Sequence, residues 1–223
     1  MVKYAADDAK MSSLVLMFGG TFDPIHHGHL RSALELTQVL PVKKVHLVPC
    51  QRPAHKDQPK ATAEQRLAML RLAIADESLL FADDCELRRA GPSWSVDTLI
   101  NLRKDYGNQQ PLAMVLGWDA FIGLPNWSRN ERLLELVHLI VLERPGQMYQ
   151  ATDEVLQLLE KHKLTADETL ATHPAGRIFR LSLPSTFEIS ATHIRKLLAN
   201  NLSARYLLPD TVLNFINKQG LYR

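Results

Sequence analysis

Short apolar runs alternate along this chain with segments whose apolar residues recur at helical spacing. A short apolar run is typical of a strand that is buried on both faces of a parallel sheet. Strand-like runs lie at residues 14–18, 44–49, 111–116, 138–142 and 177–181. A weaker strand is expected at Phe81 or at residues 85–87. The alternation predicts an α/β protein with a doubly wound, mostly parallel sheet.

Helices are predicted between these strands, and several of their ends carry capping signals. The predicted helices span about 26–40, 62–76, 95–107, 131–137 and 152–161, with two more after residues 190 and 210. The candidate N-caps are Thr62, which has capping-box spacing with Gln65, Ser93 or Ser95, Ser190 and Asp210. Residues 12–223 are expected to form one domain with a C-terminal helical portion at 184–223, and residues 1–11 a flexible polar segment.

Composition and charge favour a globular protein that acts on small molecules. The chain has 223 residues, of which 46% are hydrophobic, so it is long enough for one substantial domain. A net charge of +2 gives no broad basic field, and neither nucleic acid nor a membrane is an expected partner. Cys50 and Cys85 form no CxxC pair, and no apolar run approaches the length of a membrane span. These features predict a cytoplasmic protein.

The segment LVLMFGGTFDPIHHGHLRS combines a strand, a glycine turn and the start of a helix. Gly19 and Gly20 let the backbone turn sharply and bring N–H groups close to a ligand. A helix N-terminus after such a turn is an anion site. His26 and His29 lie three residues apart, so both imidazoles are expected on one face of the first turn, where they can contact the same phosphate.

Gly28 lies between these histidines and indicates a close approach to the helix start. A glycine inside a first helical turn costs about 1 kcal/mol relative to alanine, and a packed nucleotide would explain its presence. Two alternatives stay open for the histidines, namely a metal pair or solvated residues before an amphipathic helix. The chain lacks further ligands at zinc-site spacing, so no protein-bound metal is predicted.

Other strand ends carry candidate ligand contacts. Open parallel sheets bind ligands at the carboxyl ends of strands, near the point where the strand order reverses. This rule predicts that residues 19–20, 50–56 and 117–119 lie at one edge of the sheet. The glycines match neither GxGxxG nor GxxxxGK[ST], which disfavours a standard dehydrogenase or a P-loop ATPase.

Two motifs resemble those of the nucleotidyltransferase superfamily. GGTFDPIHHGHL is similar to the signature GxFxPxHxGH, and ISATHIR is similar to the late motif ISxTxxR. The likeness continues through GPSWSVDTL, LGWDAFIGLPNW, VLERPG and GLYR, and it is to the bacterial nicotinate-nucleotide adenylyltransferases. It implies a Rossmann-like enzyme of NAD biosynthesis. Such an enzyme transfers the adenylyl group of ATP to nicotinate mononucleotide and releases pyrophosphate.

The resemblance also implies roles for individual residues. His26, His29 and Arg195 are the expected catalytic residues, which stabilise charge on the phosphates. The expected ATP-binding residues are Gly19, Gly20, Thr21, Phe22, Gly28, Gly117, Asp119, Ser190 and Thr192. Those expected to bind the nicotinate nucleotide are His55, Trp94, Ser95, Trp127 and Arg144. Mg²⁺ is expected to arrive with ATP.

Several alternatives stay open from the residues alone. Ser190 and Asp119 are also compatible with helix caps, and each tryptophan with a core position. An enzyme acting on nicotinamide mononucleotide or another phosphate nucleophile would carry the same ATP motifs. A non-catalytic nucleotide sensor is disfavoured because both histidines and Arg195 are present. The sequence is compatible with a monomer or a small homo-oligomer.

Overall fold

The strands lie where the apolar runs predict them. The computed structural model describes residues 13–51, 58–89, 91–143, 150–165, 168–185 and 187–223. The strands are β1 (Leu14–Gly20), β2 (Val42–Pro49), β3 (Leu80–Ala82), β4 (Leu112–Gly117), β5 (His138–Leu142) and β6 (Ile178–Leu181). The predicted flexible segment at residues 1–11 lies outside the described residues.

The six strands form one sheet with the order β3-β2-β1-β4-β5-β6. β1 pairs with β4, β4 with β5 and β5 with β6, each in parallel. The chain moves outward from β1 to β3, and then from β4 to β6 on the other side, which is the order of a doubly wound sheet. The predicted fold class is therefore confirmed.

Helices connect the strands. They are α1 (His27–Val39), α2 (Ala63–Ala73), α3 (Ser95–Tyr106), α4 (Trp118–Ile122), α5 (Leu133–Leu136), α6 (Asp153–His162), α7 (Ala191–Ala199) and α8 (Asp210–Gln219). The capping box of Thr62 and Gln65 is present at the start of α2, as predicted. Among the described residues, no helix is long and apolar enough to cross a membrane.

Some predicted element ends are wrong for identifiable reasons. Neither Ser93 nor Ser95 caps α3, because the N-cap is Trp94 and the Ser93 hydroxyl accepts a hydrogen bond from the Gln51 N–H at 2.9 Å. Asp210 is the first residue of α8 and does not cap it. The helix predicted at 131–137 is a 3₁₀ turn (Asn130–Arg132) followed by α5. Of the two positions predicted for the weaker strand, Phe81 is confirmed, because it lies in β3.

The chain divides into two compact units, each assembled from separate segments. The first unit contains residues 1–18, 36–45 and 94–184, and the second contains residues 19–35, 46–93 and 185–223. The expectation of a single domain over residues 12–223 stays a prediction.

Arg103 of α3 anchors several carbonyl groups in the first unit. Its Nε donates to the Leu136 carbonyl at 2.6 Å, and its two terminal nitrogens donate to the carbonyls of Gly107, Gln110 and Pro174 at 2.6–3.1 Å. Burial lowers the pKa of this guanidinium below its usual value. The planar fork of donors therefore joins the end of α3 to the segments that precede β4, β5 and β6.

His138 is a fully buried polar residue at the start of β5. Its Nε2 lies 2.8 Å from the His173 carbonyl oxygen, and its Nδ1 accepts a hydrogen bond from the Arg177 N–H at 3.1 Å. These two bonds require a neutral ring with the proton on Nε2. Burial accordingly lowers the pKa of His138 to about 4.

Protonation of His138 should destabilise the protein as the pH falls. The folded-state pKa is about 4 and the ordinary value is 6.5, so between these values the unfolded chain binds more protons. The free energy of unfolding should therefore decrease below about pH 6.5, by on the order of 2 kcal/mol between pH 7 and pH 5. Urea denaturation at both pH values measures this change, and His138→Gln should reduce it.

His193→Gln is the matched control for this prediction, because His193 is exposed on α7. It should keep the pH dependence of the unchanged protein. An equal pH dependence in His138→Gln would show that another group is responsible.

Candidate active site

The turn after β1 is closed by an aromatic ring. Phe22 is buried and has a positive φ of 49°, which is uncommon for a bulky residue. A Cβ added to Gly20 would lie 2.7 Å from Cε1 of the Phe22 ring. The second glycine of the motif is therefore required by the protein's own packing, whatever it offers to a ligand.

The structure brings His26 and His29 together, as the sequence predicts. α1 begins at His27, and the His26 carbonyl accepts hydrogen bonds from the N–H groups of His29 and Leu30 at 3.0 and 3.1 Å. The two imidazole rings are stacked, with centroids 3.7 Å apart and an interplanar angle of 24°. The Phe22 and His29 rings pack edge-to-face in a T-shaped arrangement, with centroids 5.1 Å apart. The aromatic contacts thus link the glycine turn to the helix start.

Gly28 has a packing reason that the sequence does not reveal. A Cβ at this position would lie 3.1 Å from Cε1 and Nδ1 of His26 and 3.6 Å from the Ile189 carbonyl oxygen. The His26 imidazole therefore occupies the space that a side chain would need. The expectation that a nucleotide approaches Gly28 stays a prediction.

Asp23 is a buried carboxylate in the same turn, and it is not among the predicted site residues. It is 3% exposed, and its two oxygens accept hydrogen bonds from the N–H groups of Lys60 and Ala61 at 2.8 and 3.1 Å. Its position inside the motif GGTFDPIHHGHL is the signal that could have identified it. Asp23 fixes the histidine-bearing segment to the start of α2.

Two arginines hold the backbone of the turn. Arg66 of α2 is buried, and its terminal nitrogen donates to the Thr21 carbonyl at 2.7 Å. Arg195 of α7 donates to the Asp23 carbonyl at 2.7 Å, and the same nitrogen lies 3.8 Å from the Asp23 carboxylate. These bonds bring two guanidinium groups to the segment between Gly20 and His26. Arg66 carries no motif signal and was not predicted.

The late motif is organised by the start of α7. Ser190 is the N-cap, and its hydroxyl accepts a hydrogen bond from the His193 N–H at 3.1 Å, which confirms the capping alternative. The Thr192 hydroxyl accepts a hydrogen bond from a terminal nitrogen of Arg195 at 3.2 Å. The second unit thus contains His26, His29 and Arg195 with a direct bond from Arg195 to the Asp23 carbonyl.

Five predicted residues lie in the first unit, namely Trp94, Ser95, Gly117, Asp119 and Trp127. Trp94 and Ser95 are the N-cap and first residue of α3, and Trp127 closes a 3₁₀ turn by donating its N–H to the Leu124 carbonyl at 2.9 Å. An ion pair of 2.9 Å between Asp97 and Arg129 joins the α3 start to the segment after Trp127. No motif or spacing in the sequence indicates this ion pair.

Gly117 and Asp119 lie at the start of α4. Gly117 is the N-cap, so Asp119 does not cap this helix and that alternative is wrong. A Cβ on Gly117 would lie 2.6 Å from Oδ1 of Asp119, which shows that the carboxylate folds over the glycine backbone. Asp119 is otherwise exposed. His55 and Arg144, also predicted to bind substrate, lie outside the described residues.

The described residues contain no group of three or more His, Cys, Asp or Glu side chains that could hold a metal ion. The stacked histidines therefore lack neighbouring ligands of the kind that a zinc site uses within the described part of the chain. Within the same described residues, a carboxylate-rich cage for Mg²⁺ is also absent.

Comparison with known proteins identifies the family of this chain. A cytidylyltransferase-like family model matches residues 17–197. Relatives from Hahella chejuensis and Pseudomonas syringae pv. tomato, both named "Probable nicotinate-nucleotide adenylyltransferase", are 44% and 46% identical to this chain. The alignments cover 94% and 93% of this chain and 96% and 92% of the relatives. The chain therefore belongs to the cytidylyltransferase-like family and, within it, to the nicotinate-nucleotide adenylyltransferases.

A solved structure has the same fold. It is a Plasmodium falciparum nicotinic acid mononucleotide adenylyltransferase complexed with NaAD, with a TM-score of 0.73 and 18% sequence identity. The match covers 94% of this chain and 97% of that one. At this identity the likeness concerns the fold alone.

Gly20→Ala should destabilise the protein because the new methyl group would overlap the buried Phe22 ring. Overpacking of this kind costs about 1–3 kcal/mol in the free energy of unfolding, measurable by urea denaturation. Gly123→Ala is the matched control, since its nearest neighbour, the Ala120 carbonyl oxygen, would lie at an ordinary 3.5 Å. Equal stability of the two variants would contradict the packing explanation.

Proposed function

We propose that this chain transfers the adenylyl group of ATP to nicotinate mononucleotide, forming nicotinate adenine dinucleotide and pyrophosphate in NAD biosynthesis. The observation that carries the proposal is the similarity, over more than nine tenths of the chain, to relatives named for this activity. The stacked histidines of the second unit would supply hydrogen-bond donors to the phosphates in such a transfer, and Arg195 would add positive charge.

The nucleophile needs little help from the protein. It is a phosphate monoester, and its second pKa near ~6 leaves it mostly dianionic at neutral pH. The transfer therefore requires no general base, and positioning with charge neutralisation is sufficient. This explains why the site is built from donors and helix N-termini and does not need a nucleophile–base pair.

His26 and His29 would stabilise charge on the phosphates of ATP. The rings lie at the N-terminus of α1, where the helix dipole also favours an anion. Their N–H groups are donors in the manner of an oxyanion hole, which acts most strongly where charge develops during the reaction. Backbone N–H groups of residues 19–22 would add donors, as the resemblance implies.

Arg195 would contact the β- or γ-phosphate. Its bonds to the Asp23 carbonyl and the Thr192 hydroxyl use two of its five N–H donors. A guanidinium held in this way can present further donors to a phosphate in a fixed orientation. Gly28, Ser190 and Thr192 belong to the same proposed ATP site. Gly117 and Asp119 are assigned to ATP by the resemblance alone.

Mg²⁺ would enter the reaction bound to ATP. It prefers phosphate oxygens and waters over a dedicated protein cage, and it would neutralise charge on the leaving pyrophosphate. This agrees with the donor chemistry of the second unit, in which histidine and arginine side chains would contact the phosphates.

The nicotinate nucleotide would be bound by residues around the start of α3. A tryptophan face, from Trp94 or Trp127, can stack on the cationic pyridinium ring. Backbone N–H groups near Ser95 or Trp127 would donate hydrogen bonds to the nicotinate carboxylate. His55 and Arg144 are assigned to this nucleotide by the resemblance alone. A cytoplasmic location and small-molecule partners without nucleic acid complete the proposal.

The proposed substrate pair predicts a specific pattern of pyrophosphate release. Purified protein with ATP and Mg²⁺ should release pyrophosphate with nicotinate mononucleotide, and at least about tenfold more slowly with nicotinamide mononucleotide, because only the acid presents a carboxylate. A coupled pyrophosphate assay with both nucleotides measures this preference. Faster turnover of the amide or of another phosphate monoester would reassign the nucleophile. ATP binding without pyrophosphate release would indicate a sensor.

His29→Ala should reduce turnover by at least ~100-fold, the scale of losing one oxyanion-type donor. The fold should stay intact, as judged by urea denaturation. His173→Ala is the matched control because His173 is an exposed histidine in the first unit. A near-normal rate of His29→Ala would remove this ring from the mechanism.

A further inference from the structure

Tyr222 reaches the buried carboxylate of Asp23 from the far end of the described chain. Its hydroxyl donates to Oδ1 of Asp23 at 2.6 Å, shorter than either bond from the backbone N–H groups of Lys60 and Ala61. Burial and the neighbouring Asp23 carboxylate raise the pKa of Tyr222, so the phenol keeps its proton and remains a donor. Tyr222 therefore makes the shortest of these three bonds to the group at the centre of the turn.

The backbone after α8 is shaped to place this ring. Gly220 ends α8 in the left-handed conformation with φ 63°, and the Leu221 N–H donates to the Ile216 carbonyl at 3.1 Å. Tyr222 itself has a positive φ of 65°. A non-glycine residue is uncommon in this conformation, and the hydrogen bond to Asp23 is a contact that can hold it there.

Asp23 connects Tyr222 to the arginine of the late motif. One terminal nitrogen of Arg195 donates to the Asp23 carbonyl at 2.7 Å and lies 3.8 Å from Oδ2 of its carboxylate. Movement of Asp23 would therefore displace its carbonyl oxygen and its Oδ2 atom, the two atoms that lie next to this guanidinium. The same side chain lies three residues before His26 in the chain.

We propose that Tyr222 is a positioning residue for adenylyl transfer, which acts through Asp23 to orient the Arg195 guanidinium toward the phosphates of ATP. The inference rests on the proposed function, because that function gives Arg195 its phosphate. Tyr222 does not contact the reacting atoms in this scheme. Its hydroxyl fixes one carboxylate oxygen, so that the other oxygen and the Asp23 carbonyl remain in place for Arg195.

The test is Tyr222→Phe, which removes the hydroxyl and retains the ring. The KM for ATP should rise about tenfold, the scale of one hydrogen bond to a charged group, while the KM for nicotinate mononucleotide changes less than about twofold. Tyr206→Phe is the matched control, because Tyr206 is 83% exposed in the same unit. An unchanged KM for ATP in Tyr222→Phe, or an equal rise for both substrates, would overturn the proposal.

A double-mutant cycle separates positioning from general destabilisation. In an Arg195→Lys background the guanidinium fork is absent, so adding Tyr222→Phe should change ATP affinity by less than about twofold. Full additivity of the two substitutions would contradict a path through Arg195. Urea denaturation of each variant shows whether the fold is retained at the assay temperature.

Binding of ATP in the absence of a nucleophile distinguishes this inference from the proposed function. Calorimetry should show about tenfold weaker ATP binding by Tyr222→Phe than by the unchanged protein. If ATP binds but no pyrophosphate is released with nicotinate mononucleotide, the proposed function fails while this comparison still applies. Equal ATP affinities, or no ATP binding by either protein, would overturn the inference.

Discussion

The turn after β1 depends on a charge buried within it. Asp23 is almost inaccessible to water, and a buried carboxylate is tolerable only when donors surround it. Backbone N–H groups of Lys60 and Ala61 and the Tyr222 hydroxyl supply these donors, and the Arg195 guanidinium adds an opposite charge at 3.8 Å. The requirement draws together segments that are far apart in sequence around the turn that precedes His26.

The strands and the local part of the site could be predicted because their signals are local. A parallel strand such as β5 is buried over its whole length, which leaves an unbroken apolar run in the sequence. His26 and His29 are separated by less than one helical turn, so their proximity follows from the helix alone. By contrast, β3 has three residues and one buried position, and its apolar signal is correspondingly weak.

The contacts that were missed depend on tertiary structure. Ser93 looks like an N-cap, but its hydroxyl is engaged by the Gln51 N–H, so α3 begins without a side-chain cap. Arg66 lies in the predicted helix α2, yet it is buried because it serves the Thr21 carbonyl. No periodic pattern links Asp23 to Tyr222, which are 199 positions apart. Such pairs become visible only when the chain has folded.

Because each unit is assembled from separate segments, the two units become complete at different points during synthesis. The first unit is complete once residue 184 has been synthesised, whereas the second unit still lacks residues 185–223. Chains are made from the N-terminus and compact units tend to fold as they become available. The bond from Arg195 to the turn that carries His26 and His29 can therefore form only after residue 195 has been synthesised.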